Sequence, residues 1–222
     1  EENTDGQIAQ LHIVGDDWGP AVDKVTVKLN AAVKASDLAG AKVVEAKEAT
    51  NWAGNPYEAC IQTSERKVLA VYLSDEQGNK VEDAQGEYVT VEMYVSPNDG
   101  SPFRYVLQTG FNKWCEPYNL SVELDVAGSP LYVAGSVDLT DDTTWTSEAA
   151  QAFEVTNTYT AKDGTVYQYG EYVPEKDDKQ NALVVWLHGA GEGQADNADF
   201  HNDVYIDLLG NEVTALVSDE FQ

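Results

Sequence analysis

Residues 120–126 read LSVELDV and alternate apolar and polar side chains without a break. In an extended chain the four apolar side chains would lie on one face and the three polar ones on the other. This period of two predicts a strand with one face buried and the other in water. The same alternation recurs at residues 25–29 (VTVKL) and 88–95 (YVTVEMYV). A series of strands is therefore predicted between about residues 7 and 126.

Turn-forming sequences separate these strands. Residues 75–79 read DEQGN and residues 96–102 read SPNDGSP, both rich in residues that end regular structure. Short strands with such turns, and no long helical pattern, favour an antiparallel β-sandwich. Residues 135–151 are polar and indicate a connection outside the core. We place the sandwich domain at residues 1–150.

The pattern changes after residue 150. Residues 153–160 and 166–173 flank Lys-Asp-Gly at 162–164, which predicts a hairpin. Residues 183–187 (LVVWL) are continuously apolar, as in a strand buried on both faces of a parallel sheet. A glycine-rich turn follows at 188–193 (HGAGEG). A second domain, the incomplete start of an α/β fold, is therefore expected to begin here.

Apolar residues near the end of the sequence recur every three or four positions, which predicts an amphipathic helix that Gly210 weakens slightly. These residues are Leu208, Leu209, Val213, Leu216, Val217 and Phe221. The fold class expected for the whole chain is mainly β, a sandwich followed by the start of an α/β sheet.

Charge and composition exclude several classes of function. The chain has 39 acidic and 13 basic residues, a formal net charge of −26. Such a surface repels phosphate backbones and anionic lipid, so we predict no nucleic-acid partner. No apolar run approaches the ~18 residues of a membrane span. The sequence opens at EENT without a signal peptide, which suits a processed secreted protein or a shortened chain. A secreted or extracellular location is expected.

Cysteine and histidine are scarce. Cys60 and Cys115 are too few for a disulfide scaffold, and they could pair in an exported protein or remain buried free thiols. His12, His188 and His201 are too widely spaced for a zinc site.

Three aspartates in the 135–151 connection lack the spacing of a calcium loop. They are Asp138, Asp141 and Asp142. We predict no metal and no cofactor.

The glycine turn carries the strongest chemical signal. A buried strand that ends in His-Gly-x-Gly is where α/β-hydrolases build part of the oxyanion hole. Backbone N–H groups at Gly189, Ala190 and Gly191 are the candidate donors, with His188 supporting the turn. Glycine lets the backbone approach a substrate closely. The alternative is a glycine turn that merely joins a strand to a helix. The spacing is not the Gly-x-Gly-x-x-Gly of a dinucleotide site.

Three stretches together resemble a known family. They are YVP at 172–174 with residues 183–193, VGDDWGP at 14–20, and NKWCEPY at 112–118. The chain resembles secreted bacterial esterases with an N-terminal immunoglobulin-like domain, which are related to prolyl-oligopeptidase-like hydrolases.

The resemblance implies that residues 1–150 are an immunoglobulin-like domain and that residues 151–222 begin an α/β-hydrolase domain. It implies a Ser-His-Asp enzyme acting on acyl esters or carbohydrate esters. The sequence contains no Gly-x-Ser-x-Gly, so the chain is expected to be an N-terminal fragment. The nucleophile, acid and base would follow residue 222, in a remaining hydrolase part that completes the enzyme. The sandwich would shape the active-site entrance or mediate a homo-oligomer.

A second function is a non-catalytic binding or adhesion module. Four tryptophans are candidates for a carbohydrate-binding platform, although tryptophans of a sandwich are more often buried. They are Trp18, Trp52, Trp114 and Trp145. The coding sequence after residue 222 discriminates between the two functions.

Overall fold

The computed structural model describes residues 4–175, 182–192, 200–211 and 213–218. The first strands are β1 (Gly6–Asp16), β2 (Gly19–Lys34), β3 (Leu38–Thr50), β4 (Ala59–Arg66), β5 (Val68–Leu73) and β6 (Gln85–Met93). They are followed by β7 (Phe103–Val106), β8 (Phe111–Trp114), β9 (Tyr118–Val126), β10 (Ser129–Ser136), β11 (Trp145–Thr146), β12 (Glu154–Thr160) and β13 (Val166–Glu171). The α-helices are α1 (Glu148–Gln151) and α2 (Phe200–Gly210), and short 3-10 helices span Ala35–Asp37 and Val213–Val217. Within the described ranges, neither α-helix has the length and apolarity needed to cross a membrane.

Two sheets form the sandwich. One has the strand order β11-β1-β2-β6-β5 and the other has the order β10-β9-β3-β4. Pairing is antiparallel throughout except between β1 and β11, which run parallel. The separate hairpins β7–β8 and β12–β13 complete the strand pairing. The predicted antiparallel sandwich is confirmed.

The core lies between the two sheets and contains the apolar positions of the alternating stretches. Val25, Val27, Val122 and Leu124 are fully buried, and Leu120 is nearly so. The alternation therefore identified the buried face of β2 and β9 correctly, because consecutive side chains of a strand point to opposite faces.

The alternation predicts that the polar face of the five-stranded sheet is exposed to water, but part of this face is buried. Thr26 and Thr90 are fully buried, and their hydroxyls are 2.8 Å apart. The turn at 75–79 folds back over them, so that a Cβ at Gly78 would lie 2.5 Å from the His12 ring. A loop distant in sequence thus covers part of this face.

A cluster of charged groups is buried beside β3. Glu45 is paired with Arg66 at 3.2 Å and with Lys47 at 2.9 Å, and it accepts a hydrogen bond of 2.5 Å from the Tyr118 hydroxyl. Arg66 also donates to the carbonyl of Val22 in the opposite sheet, at 2.9 Å. These contacts join the two sheets across the core.

The connection predicted for residues 135–151 contains a core residue, which corrects that expectation. Trp145 on β11 is fully buried, and its indole N–H donates to the carbonyl of Leu139 at 3.0 Å. A strand of two residues is too short to show alternation in the sequence.

The hairpin predicted around residues 162–164 is confirmed as β12–β13. Helix α2 packs on it, since a Cβ at Gly170 would lie 3.0 Å from Val204. The same helix contacts the sandwich, where the rings of Tyr205 and Trp145 are 5.0 Å apart.

The predicted terminal helix is wrong in its extent. Helix α2 ends at Gly210, and a 3-10 helix at Val213–Val217 replaces its continuation. Glycine disfavours the helix interior, and the Asn211 amide donates to the Asp207 carbonyl at 3.3 Å, which satisfies a free carbonyl of the last turn. Phe221 lies outside the described residues.

The buried strand predicted at residues 183–187 is also not found. The segment has no regular secondary structure, and its side chains are 50–87% exposed. A strand needs a neighbour to pair its backbone groups, and no described strand pairs with this segment.

Candidate functional site

The glycine turn is attached to the sandwich through β8. The backbone N–H of Asn112 donates to the carbonyl of Gly191 at 2.6 Å. A Cβ at Gly191 would lie 3.2 Å from the Asn112 side-chain nitrogen, closer than an ordinary contact. Glycine at this position therefore allows the turn to approach the hairpin. Gly193 lies outside the described residues.

His188 holds a second carbonyl of the turn. Its Nδ1 lies 2.8 Å from the carbonyl oxygen of Gly189. Because a carbonyl oxygen only accepts, Nδ1 carries the proton in this contact. This is the contact through which His188 would support the turn, and that role stays a prediction.

These two tethered carbonyls orient two N–H groups. In a trans peptide the N–H of the next residue points away from the carbonyl. The bond from His188 to Gly189 therefore directs the N–H of Ala190, and the bond from Asn112 to Gly191 directs the N–H of Glu192. The Ala190–Gly191 peptide separates these two peptide planes, and of the three predicted donors only Ala190 has its N–H fixed in this way. An oxyanion site requires such preorganised N–H donors.

Two carboxylates lie near the turn. One oxygen of Glu192 lies 3.0 Å from the position of a Cβ at Gly189. Asp207 on α2 is half-buried, and burial raises its pKa to about 6, with further upward influence from Glu192 and an opposing one from His188. The turn is therefore in an acidic setting, and stabilisation of an oxyanion there depends on the backbone N–H groups.

The other histidines are not part of this turn. Nε2 of His12 lies 2.8 Å from the Thr26 hydroxyl, inside the five-stranded sheet. Burial lowers the pKa of His12 to about 4, so the ring is neutral at neutral pH. The side chain of His201 lies outside the described residues.

Both cysteines are free thiols. Cys115 is buried, which raises its pKa to about 12, and Cys60 is half-buried. The sequence leaves open whether Cys60 and Cys115 form a disulfide. In the structure they do not, and both are free thiols.

A groove of about 630 Å³ lies beside β1 and α1, and no pattern in the sequence indicated it. It is lined in part by His12, Asp23, Lys24, Ser147 and Gln151. Burial raises the pKa of Asp23 to about 6, and one of its carboxylate oxygens has no hydrogen-bond partner among the described residues. The groove is lined by turn 75–79 and by the segment around α1, and residue spacing does not indicate that two segments so far apart in the sequence border one groove.

The architecture defines the class as an immunoglobulin-like β-sandwich joined to a hairpin and helix. Residues 12–168 match the family described as the esterase Ig-like N-terminal domain. The chain belongs to this family. The match ends inside β13, and the boundary placed at residue 150 stays a prediction.

Comparison with solved structures gives a similar fold in a chain described as the crystal structure of a thermostable esterase. The TM-score is 0.66 at 18% sequence identity, and the match covers 98% of this chain and 54% of that chain. The chain therefore spans about half the length of that esterase. No curated protein sequence matches this one.

Proposed function

We propose that the chain is the N-terminal portion of a secreted serine carboxylic-ester hydrolase, supplying its immunoglobulin-like domain and part of its oxyanion hole. The observation that carries the proposal is the 2.6 Å bond from Asn112 on β8 to Gly191. It joins the domain characteristic of esterases directly to the candidate turn. The substrates would be acyl esters of small molecules or carbohydrates.

In this proposal the N–H groups of the turn donate to the oxygen that becomes negative when an ester carbonyl is attacked. The fixed carbonyls of Gly189 and Gly191 hold the donors in place before reaction, which reduces the cost of reorganisation. The nucleophile, the acid and the base come from the remaining hydrolase part. The sandwich supports the turn from the side of β8 and borders the active-site entrance or a homo-oligomer contact.

The exposed segment 183–187 fits the same proposal. Its five apolar side chains suit a strand with both faces covered in a parallel sheet. Strands of the remaining hydrolase part would supply the partners.

The test uses the full-length gene product. We expect a fluorophosphonate to label one serine, and p-nitrophenyl acetate to be hydrolysed. Gly191→Ala should reduce kcat about 10- to 100-fold, because the new Cβ would press on Asn112 and displace the donors.

Gly40→Ala is the matched control, since a Cβ at Gly40 would have no atom of the described residues within 4 Å. Its kcat should equal that of the parent. A full-length protein that neither hydrolyses the ester nor takes up the label would refute the proposal, as would equal activity of the Gly191→Ala variant.

A further inference from the structure

Three aromatic side chains are exposed at the end of the sandwich that carries the β7–β8 hairpin. Trp52 is 66% exposed, Tyr57 58% and Tyr105 39%. Trp114 and Trp145, which the sequence offered as platform candidates, are instead buried, with their rings 5.5 Å apart. We call Trp52, Tyr57 and Tyr105 the aromatic patch.

The loop that presents Trp52 and Tyr57 is held by its own hydrogen bonds. The N–H of Asn51 donates to the carbonyl of Glu58 at 3.2 Å and closes the loop. Inside it, the N–H of Glu58 donates to the carbonyl of Asn55 at 3.0 Å, and the N–H of Tyr57 donates to the Asn55 side chain at 3.2 Å. A loop ordered in this way loses little conformational entropy on binding a ligand.

Two contacts join this loop and the end of β3 to the β7–β8 hairpin. The Thr50 hydroxyl donates to the carbonyl of Tyr105 at 2.5 Å, and the Gln108 amide donates to the carbonyl of Tyr57. These contacts hold the 51–58 loop, which carries Trp52 and Tyr57, beside β7, which carries Tyr105.

The same hairpin connects the aromatic patch to the glycine turn. Tyr105 on β7 is paired with Asn112 on β8, and Asn112 is bonded to Gly191. Thr50, β7, β8 and Gly191 thus follow one another at hydrogen-bonding distance. With about 4.8 Å between adjacent backbones, the backbone of Tyr105 lies about 10 Å from the turn, and Trp52 and Tyr57 belong to the loop on the far side of β7. A small ester cannot contact both sites, whereas an ester carried on an oligosaccharide can.

The chemistry of the surface selects a neutral, ring-shaped ligand. Trp and Tyr offer apolar faces with a polar edge. The side chains of Asn55 and Gln108 are hydrogen-bonded to the backbone of Tyr57 and place polar groups beside it. A net charge of −26 opposes anionic ligands. Sugar rings combine flat C–H faces with hydroxyl edges and match this arrangement.

We infer that the aromatic patch binds the neutral carbohydrate part of an ester substrate whose ester group is at the glycine turn. The ester half of this inference rests on the proposed function, and the carbohydrate half rests on the patch alone. The patch would act as a positioning surface that raises affinity for esters of oligosaccharides over esters of small alcohols.

The first experiment measures carbohydrate binding by the 222-residue chain. Its migration is followed by native electrophoresis in gels containing soluble xylan, acetylated xylan or hydroxyethyl cellulose. We expect at least one of these polysaccharides to retard the chain. Trp52→Ala and Tyr57→Ala should weaken retardation about five- to tenfold, the loss expected when an aromatic stacking contact is removed.

Tyr132→Ala is the matched control, because Tyr132 is 48% exposed on β10, outside the patch. It should migrate like the parent. Absence of retardation by all three polysaccharides would overturn the inference, and so would equal loss in the Tyr132→Ala variant. Circular dichroism of each variant excludes misfolding as the cause.

A second measurement separates this inference from the proposed function. In the full-length protein, Trp52→Ala should raise KM for acetylated xylan several-fold and leave kcat and KM for p-nitrophenyl acetate unchanged. Retardation without any ester hydrolysis would refute the proposed function and keep the carbohydrate site. Ester hydrolysis without retardation would refute the carbohydrate site alone.

Discussion

Thr26 and Thr90 lie on the polar face of the five-stranded sheet, where both are fully buried with their hydroxyls 2.8 Å apart. Val25 and Val27 were predicted to be buried, because each follows the alternation of its own strand. Thr26 between them was predicted to be wet and is fully buried. Its burial depends on the turn at 75–79, and no local pattern reports a contact over such a separation.

The buried hydroxyls form a directional hydrogen-bond chain. Thr90 donates to Ser74 at 2.8 Å, so its single hydroxyl proton is used and Thr26 donates to Thr90. His12 then donates to Thr26 through Nε2. This donation requires a proton on Nε2, and because the lowered pKa of His12 keeps the ring neutral at neutral pH, Nδ1 carries no proton.

The first prediction concerns Asp23. Its pKa is raised by burial from 3.8 to about 6, so the unfolded chain releases the proton first as pH rises. Ionisation of Asp23 therefore lowers the free energy of unfolding as the pH rises from about 4 to 6. Above pH 6 the whole of this loss is present. A pKa difference of this size corresponds to at most about 3 kcal/mol, which remaining solvent contact reduces to about 1–2 kcal/mol.

Asp23→Asn should therefore raise the free energy of unfolding by about 1–2 kcal/mol at pH 7.5 and by much less at pH 4. Urea unfolding at both pH values measures the difference. Asp17→Asn, at an exposed position of the β1–β2 turn, is the control and should change stability little. Equal stability of Asp23→Asn and the parent at pH 7.5 would contradict the assignment.

The second prediction compares a buried ion pair with an exposed one. Glu45→Ala leaves the cations of Arg66 and Lys47 without their buried partner and should cost about 3–5 kcal/mol. Glu65→Ala breaks the exposed pair with Lys42 and should cost less than about 1 kcal/mol. Urea unfolding of both variants tests the contrast, and similar losses would contradict it.

At the scale of elements, hairpins and alternating strands were predictable because their signals are local. Strands β2, β9 and the β12–β13 pair each carry their own pattern. The segment 183–187 has the composition of a buried strand, but a strand also requires neighbours to pair with. The orientation of the glycine turn was likewise not predictable, since it depends on Asn112 in a hairpin far earlier in the chain.

The third prediction tests how turn 75–79 closes over the sheet. Gly78 and Gly128 both have φ of +80°, but a Cβ at Gly78 would meet the His12 ring whereas one at Gly128 would meet nothing within 4 Å. Gly128→Ala should cost about 1 kcal/mol through backbone strain alone. Gly78→Ala should cost about 2 kcal/mol more, because it also overpacks the site. Thermal unfolding of both variants measures the difference, and equal losses would show that the turn moves freely.

At the scale of the whole molecule, the described chain combines a well-covered sandwich with one uncovered apolar segment. Leu183 and Leu187 are more than 80% exposed, and the three residues between them are at least half exposed. A continuous apolar surface of this kind favours association with other chains. The covered sandwich and the exposed apolar segment 183–187 are thus separate regions of one chain.

The fourth prediction follows from this separation. The 222-residue chain should self-associate at micromolar concentrations, and Val185→Lys should reduce that association and the binding of an apolar dye without lowering Tm. Val173→Lys is the control, since Val173 is 67% exposed outside the segment. Sedimentation velocity measures the effect. A parent chain that remains monomeric at all concentrations would contradict the prediction.

The pairing of β1 with β11 has a consequence for synthesis on the ribosome. Leu11 and His12 are bonded along their outer edge to Trp145 and Thr146, which are translated much later. Until those residues emerge, the nascent first strand presents an open edge to any neighbouring polypeptide. The time for which this edge of the nascent chain stays unpaired therefore depends on the elongation rate over the codons between β1 and β11. Slow codons there would lengthen its dependence on chaperones.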